Sequence, residues 1–240
     1  MSIDEKIKAT QLSSDISMLS RSRSESLSVI ITKAILEGHW LPGDRINDQE
    51  LSDETKISRI SVREALSFLV ERGIVEKVHW KGYFVRKLSL KEIASIIEVR
   101  IALEELAIKK MFSLKEPRVF EEMKKAIDIS EKLIDSSSYQ DYMDADIKFH
   151  ELIYEASGNV WIKNIIDDLR LNINILRNLS MQESFTDSAR ISIDDHRRML
   201  NQFIKGDEKK ALEILYDHFN KHLQNIKKTY NSIYNNKLDE

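Results

Sequence analysis

Four residues in the C-terminal half of the sequence have the types and spacing of a metal site. Asp146 and His150 lie four positions apart in the segment DADIKFH, so a helix would place both side chains on one face. His196, in IDDHRRML, and His218, in LYDHFNKHL, would lie on two further helices. One carboxylate and three imidazoles suit a divalent transition metal such as zinc, nickel or manganese, with positions left for water or a ligand.

The spacing alone leaves the ligand set and its use open. Histidines on apolar helix faces are also compatible with a hydrogen-bonded core that holds no metal. His222 lies one turn after His218 and competes with it as a ligand. One function that a metal site would allow is that of a metal-dependent hydrolase, because an open metal site can activate water. Its carboxylate base would have to come from Asp194, Asp195 or Glu151, which are near the ligands in sequence. A protein that senses the concentration of the metal itself is another.

A second set of polar residues lies at the start of a predicted helix in KISRISVREALSFLVERG, residues 56–73. Ser58 is placed to cap this helix, and Arg59, Ser61 and Arg63 follow in its first turns, ahead of apolar positions. Arginines near a helix N-terminus oppose the helix dipole, which indicates that a partner outside the helix requires them. In the second helix of a helix-turn-helix, arginine could bind guanine or phosphate, and serine either.

The neighbouring elements complete such a DNA-binding unit. An apolar helical repeat begins at Leu27 and stops at Gly38, Asn47 caps a short second helix, and the third helix ends at Gly73. Two short alternating runs then predict a β-hairpin. Three helices followed by a hairpin are typical of a winged helix-turn-helix, predicted here over residues 27–87. The predicted DNA contacts are Gln49, Ser58, Arg59, Ser61, Arg63 and, at the hairpin tip, Lys81 and Gly82.

The composition favours helices and an intracellular protein. Six glycines and two prolines in 240 residues favour long helices over a turn-rich β architecture. The absence of cysteine excludes disulfides and thiolate metal ligands. The sequence contains neither a signal segment nor an apolar run near the roughly 18 residues of a membrane span, so we expect a cytoplasmic protein without a membrane partner.

Three regions follow from these patterns. Residues 1–26 are polar and serine-rich and are predicted to form a mobile arm. The DNA-binding domain covers residues 27–87, and residues 88–240 are predicted to form an all-α bundle for effector binding and dimerisation. About six helices are expected in this bundle, at 89–112, 117–135, 138–157, 160–180, 187–205 and 208–232. The predicted fold class is therefore mainly α.

The N-terminal half resembles the DNA-binding domain of the GntR superfamily of bacterial-type transcription factors. The shared features are the turn Pro42-Gly43-Asp44-Arg45, Glu50-Leu51, Ser58-Arg59, Val62-Arg63-Glu64-Ala65-Leu66, Gly73 and Gly82-x-Phe84-Val85. Two positions depart from the family pattern: Ile60-Ser61 replaces a frequent Thr-Pro, and Lys81 replaces the commoner arginine. Both would face DNA, so the operator sequence does not carry over from relatives.

The C-terminal half is similar to the FCD effector domain, which defines the FadR-like branch of that superfamily. The matching features are Arg100 with Leu103-Glu104, Asp146-x-x-x-His150, Ala156-x-Gly158-Asn159, His196 ahead of Leu200, Gly206-Asp207 and His218. The resemblance implies that Asp146, His150, His196 and His218 hold a divalent metal, with zinc favoured. It also selects His218 over His222.

The same resemblance implies an effector and a mode of action. Arg100 would bind a carboxylate of a small metabolite with its planar guanidinium, the alternative being a simple intrahelical pair with Glu104. Asn174 and Arg177 are further predicted effector contacts, with packing or an interface as their alternative role. The expected protein is a metabolite-responsive repressor rather than an enzyme. Its homodimer would bind a near-palindromic operator, because two recognition helices must meet major grooves about 34 Å apart.

Overall fold

A computed structural model describes residues 23–114, 118–134, 139–167, 169 and 185–235. They form two compact units that divide between Ser89 and Leu90. The first unit contains three helices and a small antiparallel sheet, and the described elements of the second are all helices. The mainly α class and the N-terminal winged helix-turn-helix are thereby confirmed.

The first unit follows the predicted order of elements, with one short strand added. Its elements are α1 (Arg23–Leu36), β1 (Arg45–Ile46), α2 (Asp48–Thr55), α3 (Arg59–Glu71), β2 (Val75–Val78) and β3 (Gly82–Val85). β3 lies between β1 and β2 and is antiparallel to both. β1 was not predicted, because two residues are too few to show an alternating pattern. It is fixed by its partner, with Arg45 opposite Phe84.

α1 begins four residues before the predicted start at Leu27. Residues 23–26, predicted as the end of the polar arm, therefore belong to this helix; the rest of the arm lies outside the described residues. A first helical turn can be polar, since the apolar stripe need not reach the end of the helix. Glu25 in that turn is favoured by the helix dipole, and its carbonyl oxygen accepts a hydrogen bond from Ser28 Oγ (2.7 Å).

The two predicted caps of the helix-turn-helix are present. Asn47 Oδ1 accepts a hydrogen bond from the Gln49 backbone N–H (3.1 Å), and Ser58 Oγ accepts one from the Ser61 N–H (3.2 Å). Between them Lys56 ends α2 with a positive φ of 56°. This left-handed residue reverses the chain sharply enough for α3 to begin three residues later.

The apolar face of α3 is buried in the core of the first unit, which leaves its polar first turn exposed. The core side chains include Leu27, Ile31, Trp40, Ile46, Leu51, Val62, Leu66, Leu69 and Val85. Because these residues come from all three helices and the sheet, packing of the buried face fixes the orientation of α3 within its unit.

The described residues of the second unit form five long helices and a shorter helical segment. These elements are α4 (Leu90–Leu114), α5 (Arg118–Leu133), α6 (Tyr139–Ala156), a helical segment at 160–167, α7 (Phe185–Lys205) and α8 (Glu208–Asn235). α4 packs against α6 and α8, and α7 packs against α5 and α8. Gly158 (φ 63°) and Gly206 (φ 75°) follow helix ends, as predicted. In the described part of the chain, no helix combines the length and apolarity needed to cross a bilayer.

Candidate metal centre and nucleic-acid interface

The centre of the second unit contains polar side chains that are almost completely shielded from solvent. Four helices contribute them: Glu104 from α4, Asp146 and His150 from α6, Ser192, Asp195 and His196 from α7, and His218 from α8. Buried polar groups require partners, because an unsatisfied one costs about 1–3 kcal/mol. The arrangement of these partners defines the site.

Three of the predicted metal ligands form one cluster. His150, His196 and His218 each offer a ring nitrogen, and these atoms lie within 4.8 Å of one another. The Nε2 atoms of His150 and His196 are 3.1 Å apart. Phe149 stacks on the His196 ring at a centroid distance of 4.2 Å and restricts its rotation. The cluster has the nitrogen donors that zinc and related metals prefer.

Glu104 holds the outer nitrogen of His150. Its Oε1 is hydrogen-bonded to His150 Nδ1, and its Oε2 accepts a hydrogen bond from the Tyr154 hydroxyl (2.7 Å). Arg100 Nε lies 3.7 Å from the same Oε2. Burial alone would raise the pKa of Glu104, but His150, Arg100 and Tyr154 outweigh it, so the net pKa lies below its usual value. An ionised Glu104 fixes the His150 tautomer and leaves Nε2 facing the cluster.

Asp195 lies near the Nδ1 atom of His218. Its Oδ2 lies 3.6 Å from His218 Nδ1, and its carboxylate also accepts hydrogen bonds from Lys221 (3.0 and 3.1 Å) and Arg198 (3.0 Å). Burial alone would raise the pKa of Asp195, but His218 and Lys221 outweigh burial, so the net pKa lies below its usual value. Burial lowers the pKa of His218, and the Asp195 carboxylate opposes this in part. A neutral His218 is the form that binds metal.

Asp146, the fourth predicted ligand, lies beside the cluster and not among its three members. Its Oδ1 accepts a hydrogen bond from Ser192 Oγ (2.8 Å) and lies 3.8 Å from His196 Nδ1. The Tyr142 hydroxyl is 3.4 Å from the same oxygen. The carboxylate therefore adjoins one of the three histidines and is held by hydroxyl donors.

A carboxylate thus faces the Nδ1 atom of each imidazole: Glu104 at His150, Asp146 at His196 and Asp195 at His218. The hydrogen bond to Glu104 fixes the ring of His150, whereas Asp146 and Asp195 lie 3.8 and 3.6 Å from their imidazoles, beyond hydrogen-bond distance. Three buried imidazoles facing one another, each with a carboxylate near its Nδ1 atom, fit a divalent metal ion. The roles of Glu104 and Asp195 were missed from the sequence, since both pairings depend on contacts between different helices.

Of the three predicted effector contacts, Arg100 lies within the described residues. Its Cζ lies over the Phe219 ring, 4.7 Å from the centroid, and its buried Nε makes no hydrogen bond to the described residues. The ion pair with Glu104 predicted as the alternative is present, but Glu104 is shared with two other groups. His222 packs edge-on against His218 (4.4 Å) and is not a member of the cluster. The predicted contacts Asn174 and Arg177 lie outside the described residues.

The exposed first turn of α3 carries the predicted DNA contacts Arg59 and Arg63, which are both held by Asp48 of α2. Asp48 accepts hydrogen bonds from Arg59 Nε (3.0 Å), Arg59 Nη2 (3.2 Å) and Arg63 Nε (2.6 Å). These bonds, that of Arg59 first, lower the pKa of Asp48 below its usual value. One carboxylate therefore keeps two guanidinium groups side by side at the start of α3, a role that the sequence did not reveal.

The remaining predicted contacts are also at the surface of the first unit. Ser58 and Ser61 are hydrogen-bonded through their hydroxyls (3.0 Å), and Gln49 Nε2 donates to Asp53 (3.0 Å). Lys81 is exposed at the turn between β2 and β3. Gly82 follows with a φ of 103°, a conformation that favours glycine. The structure therefore places these residues on exposed parts of α2, α3 and the wing.

Two protein families match the chain, and they divide it as the structure does. Residues 24–85 match the bacterial regulatory proteins of the gntR family, and residues 95–221 match the FCD domain. The chain is 26% identical over 198 residues to YdhC of Bacillus subtilis strain 168, described as an uncharacterized HTH-type transcriptional regulator, covering 82% of this chain and 88% of that one. It is 25% identical over 189 residues to the gluconate operon transcriptional repressor of the same organism, covering 77% of each.

Solved structures share the fold. Escherichia coli McbR/YncC superposes with a TM-score of 0.73 at 16% identity, over 88% of this chain and 100% of that one. A metal-free FCD domain of another regulator superposes with a TM-score of 0.50 at 25% identity, over 61% of this chain and 99% of that one. The relatives are transcriptional regulators and not enzymes, which answers the hydrolase alternative. The chain belongs to the GntR family of transcriptional regulators and carries an FCD effector domain.

Proposed function

We propose that this regulator is a metabolite-responsive repressor whose FCD domain binds a small carboxylate at a divalent metal. The observation that carries the proposal is the buried three-histidine cluster at the centre of the second unit, close in structure to Glu104 and, through it, to Arg100. FCD domains often bind a metal ion. A metal with an open coordination position and a nearby guanidinium would together recognise an anionic oxygen.

The proposed metal ligands are His150, His196 and His218, with Asp146 as the adjoining carboxylate. Zinc is favoured over nickel and manganese, because three imidazole nitrogens are a common zinc donor set. When bound, the metal would supply a Lewis-acidic position that accepts a carboxylate oxygen. Glu104 and Asp195 would hold their histidines in the tautomer that presents a free nitrogen to the metal.

Arg100 is the proposed selectivity residue for the effector. Phe219 supports the face of its guanidinium, and the Glu104 ion pair restrains its Nε side. A guanidinium held in this way can donate two parallel hydrogen bonds to a carboxylate, a geometry that a lysine ammonium does not reproduce. Asn174 and Arg177 remain predicted contributors to effector binding.

DNA recognition is assigned to the first turn of α3 and to the wing. GntR regulators bind DNA operators and usually act as dimers, so a homodimer on a near-palindromic operator is proposed. In the free protein, Asp48 would accept hydrogen bonds from Arg59 and Arg63. On DNA, the two arginines would leave Asp48 and bind guanine or phosphate instead. Gln49, Ser58, Ser61, Lys81 and Gly82 would add further contacts to base edges and the DNA backbone.

Coupling between effector and operator requires that the effector bind one state of the protein better than another. By linkage, DNA must then change effector affinity by the same factor. α4, which carries both Arg100 and Glu104, begins only five positions after the last residue of β3. A change at Arg100 therefore acts on the helix that continues directly from the wing, and this helix is the proposed element of coupling.

The test uses Arg100→Lys, with the exposed Arg197→Lys as the matched control. Effectors are found first by screening small carboxylates for a rise in the melting temperature of the zinc-loaded protein. Operator release is then titrated with the active acid in all three proteins. Arg100→Lys should keep metal and operator affinity but lose the response, whereas Arg197→Lys should respond like wild type. Equal midpoints in all three would show that Arg100 is only the structural partner of Glu104.

The same titration separates an acid sensor from a metal sensor. If operator release follows free zinc in the absence of any acid, the protein is a metalloregulator and the proposed effector role is wrong. If release follows the acid at constant zinc, the metal is a fixed part of the effector site.

A further inference from the structure

The wing turn carries a large apolar side chain that the protein does not bury. Trp80 lies between β2 and β3 and is 94% exposed, whereas Trp40 is 1% exposed in the core of the same unit. Its indole contacts His79 edge-on at a centroid distance of 4.7 Å. Tryptophan is mostly buried in folded proteins, so an indole projecting from a hairpin tip indicates contact with something outside the chain.

The backbone at this position is also unusual. Trp80 has a φ of 63°, in the left-handed region that non-glycine residues rarely adopt. The turn is closed by a hydrogen bond from the Lys81 N–H to the Val78 carbonyl oxygen (3.1 Å). A strained residue that also exposes an indole is stable only because the hairpin holds it, which is typical of a binding position.

The charges around the tip favour a polyanion. Lys81 is next to Trp80 in the turn and Lys77 lies on β2, with Glu76 the one acid in residues 75–85. Arg45 of the neighbouring strand adds a guanidinium next to Gly82, 3.8 Å from the position that a Cβ atom would occupy there. An aromatic side chain with basic groups in and beside its turn has the chemistry that binds nucleic acid: the cations contact phosphates, and the ring contacts nucleotides.

We propose that Trp80 is a DNA contact, and that its indole packs as an apolar wedge against a base step in the minor groove. Apolar side chains on minor-groove binders act in this way, and basic residues beside them contact the flanking phosphates. The inference rests on the proposed DNA binding by α3 and the wing, and it adds an apolar contact to the polar ones proposed there. It assigns to Trp80 a contact whose strength depends on the deformability of the base step rather than on a hydrogen-bond pattern.

The test follows Trp80 by its own fluorescence in a Trp161→Phe variant, in which the remaining indole, Trp40, is buried. The probe is a duplex that the wild-type protein enriches from a randomised pool. Adding this duplex should protect Trp80 from quenching by acrylamide. Trp80→Ala should lower the affinity by about tenfold, in line with aromatic stacking on bases, while Trp80→Phe stays near wild type.

Salt dependence distinguishes a stacking residue from a charged one. The slope of log affinity against log salt should be unchanged in Trp80→Ala, because no phosphate contact is lost, and should fall by about 1 in the control Lys81→Ala. Unchanged affinity in Trp80→Ala, with Trp80 still open to acrylamide on DNA, would overturn the inference alone. The inference would also be overturned if raising the protein concentration, without DNA, protected Trp80 from acrylamide. Failure of the wild type to enrich any duplex would overturn the proposed DNA binding as well.

Discussion

Replacing Glu104 with glutamine tests whether the carboxylates behind the histidines belong to a metal site. Glu104 is fully buried and accepts hydrogen bonds from both Tyr154 and His150. Glutamine has nearly the same shape but only one acceptor oxygen, and its amide group would face a donor. It also removes the negative charge that stabilises a cation at His150. The variant should therefore bind metal more weakly without leaving a cavity.

The expected loss of metal affinity is that of removing the carboxylate behind a ligating histidine. Loss of an outer partner of a ligating histidine lowers metal affinity by about 10- to 100-fold, or about 1.4–2.7 kcal/mol. At a fixed excess of metal, the stabilisation by bound metal falls by the same amount. For a domain of this size, that loss corresponds to a decrease of about 3–10 °C in the melting temperature of the metal-loaded protein.

The control is Glu105→Gln, one position along the same helix. Glu105 pairs with Lys109 (2.5 Å) and Tyr216 (2.5 Å) at the surface, where ion pairs contribute about 0–1 kcal/mol. Zinc affinity is measured by competition with a chromophoric chelator, and melting is followed with and without zinc. Wild-type zinc affinity in Glu104→Gln would refute the reasoning, and equal losses in both variants would trace the effect to the helix rather than to His150.

Three further outcomes are expected. Arg59→Ala or Arg63→Ala should weaken operator binding in a gel-shift titration by about 1–3 kcal/mol with melting little changed, and unchanged affinity in both would remove α3 from the interface. His196→Ala should lose stoichiometric zinc by metal analysis while His222→Ala retains it; the reverse result would show that the ligand set is wrong. Because the folded-state pKa of Asp48 is depressed, its stabilising contribution is present above the usual value of 3.8 and is lost as the pH falls through the folded-state value. The small difference in melting temperature between wild type and Asp48→Asn should therefore disappear at low pH, and a difference that grew instead would contradict this assignment.

The helices and caps were largely predictable, because their signals are local. Ser58 and Asn47 predict helix starts, because both are capping residue types followed by an apolar repeat. Gly158 and Gly206 predict helix ends. The two-residue strand β1 carried no such signal and exists only through its pairing with β3. Local patterns thus set the order of elements, whereas short pairings appear only in three dimensions.

The metal cluster could be predicted only in part, for the same reason. Spacing brings Asp146 and His150 to one helix face, but nothing local relates either to His196 or His218; the family resemblance supplied that link. From the sequence, Glu104 is predicted only as the alternative partner of Arg100, one turn away. Its bond to His150, 46 residues further along the chain, depends on the packing of α4 against α6 and leaves no periodic trace.

The distribution of the histidine cluster along the chain has a consequence for the order in which the protein is made. The winged helix-turn-helix lies within residues 23–85 and has its own core, whereas the cluster needs α8, which begins at Glu208. Domains fold as units, N-terminal first, while synthesis proceeds at about 5–20 residues per second. The DNA-binding unit can therefore fold several seconds before the last histidine leaves the ribosome. Capture of the proposed metal would then be a late event in the biogenesis of the chain, and metal supply would act on the second unit after the DNA-binding unit has formed.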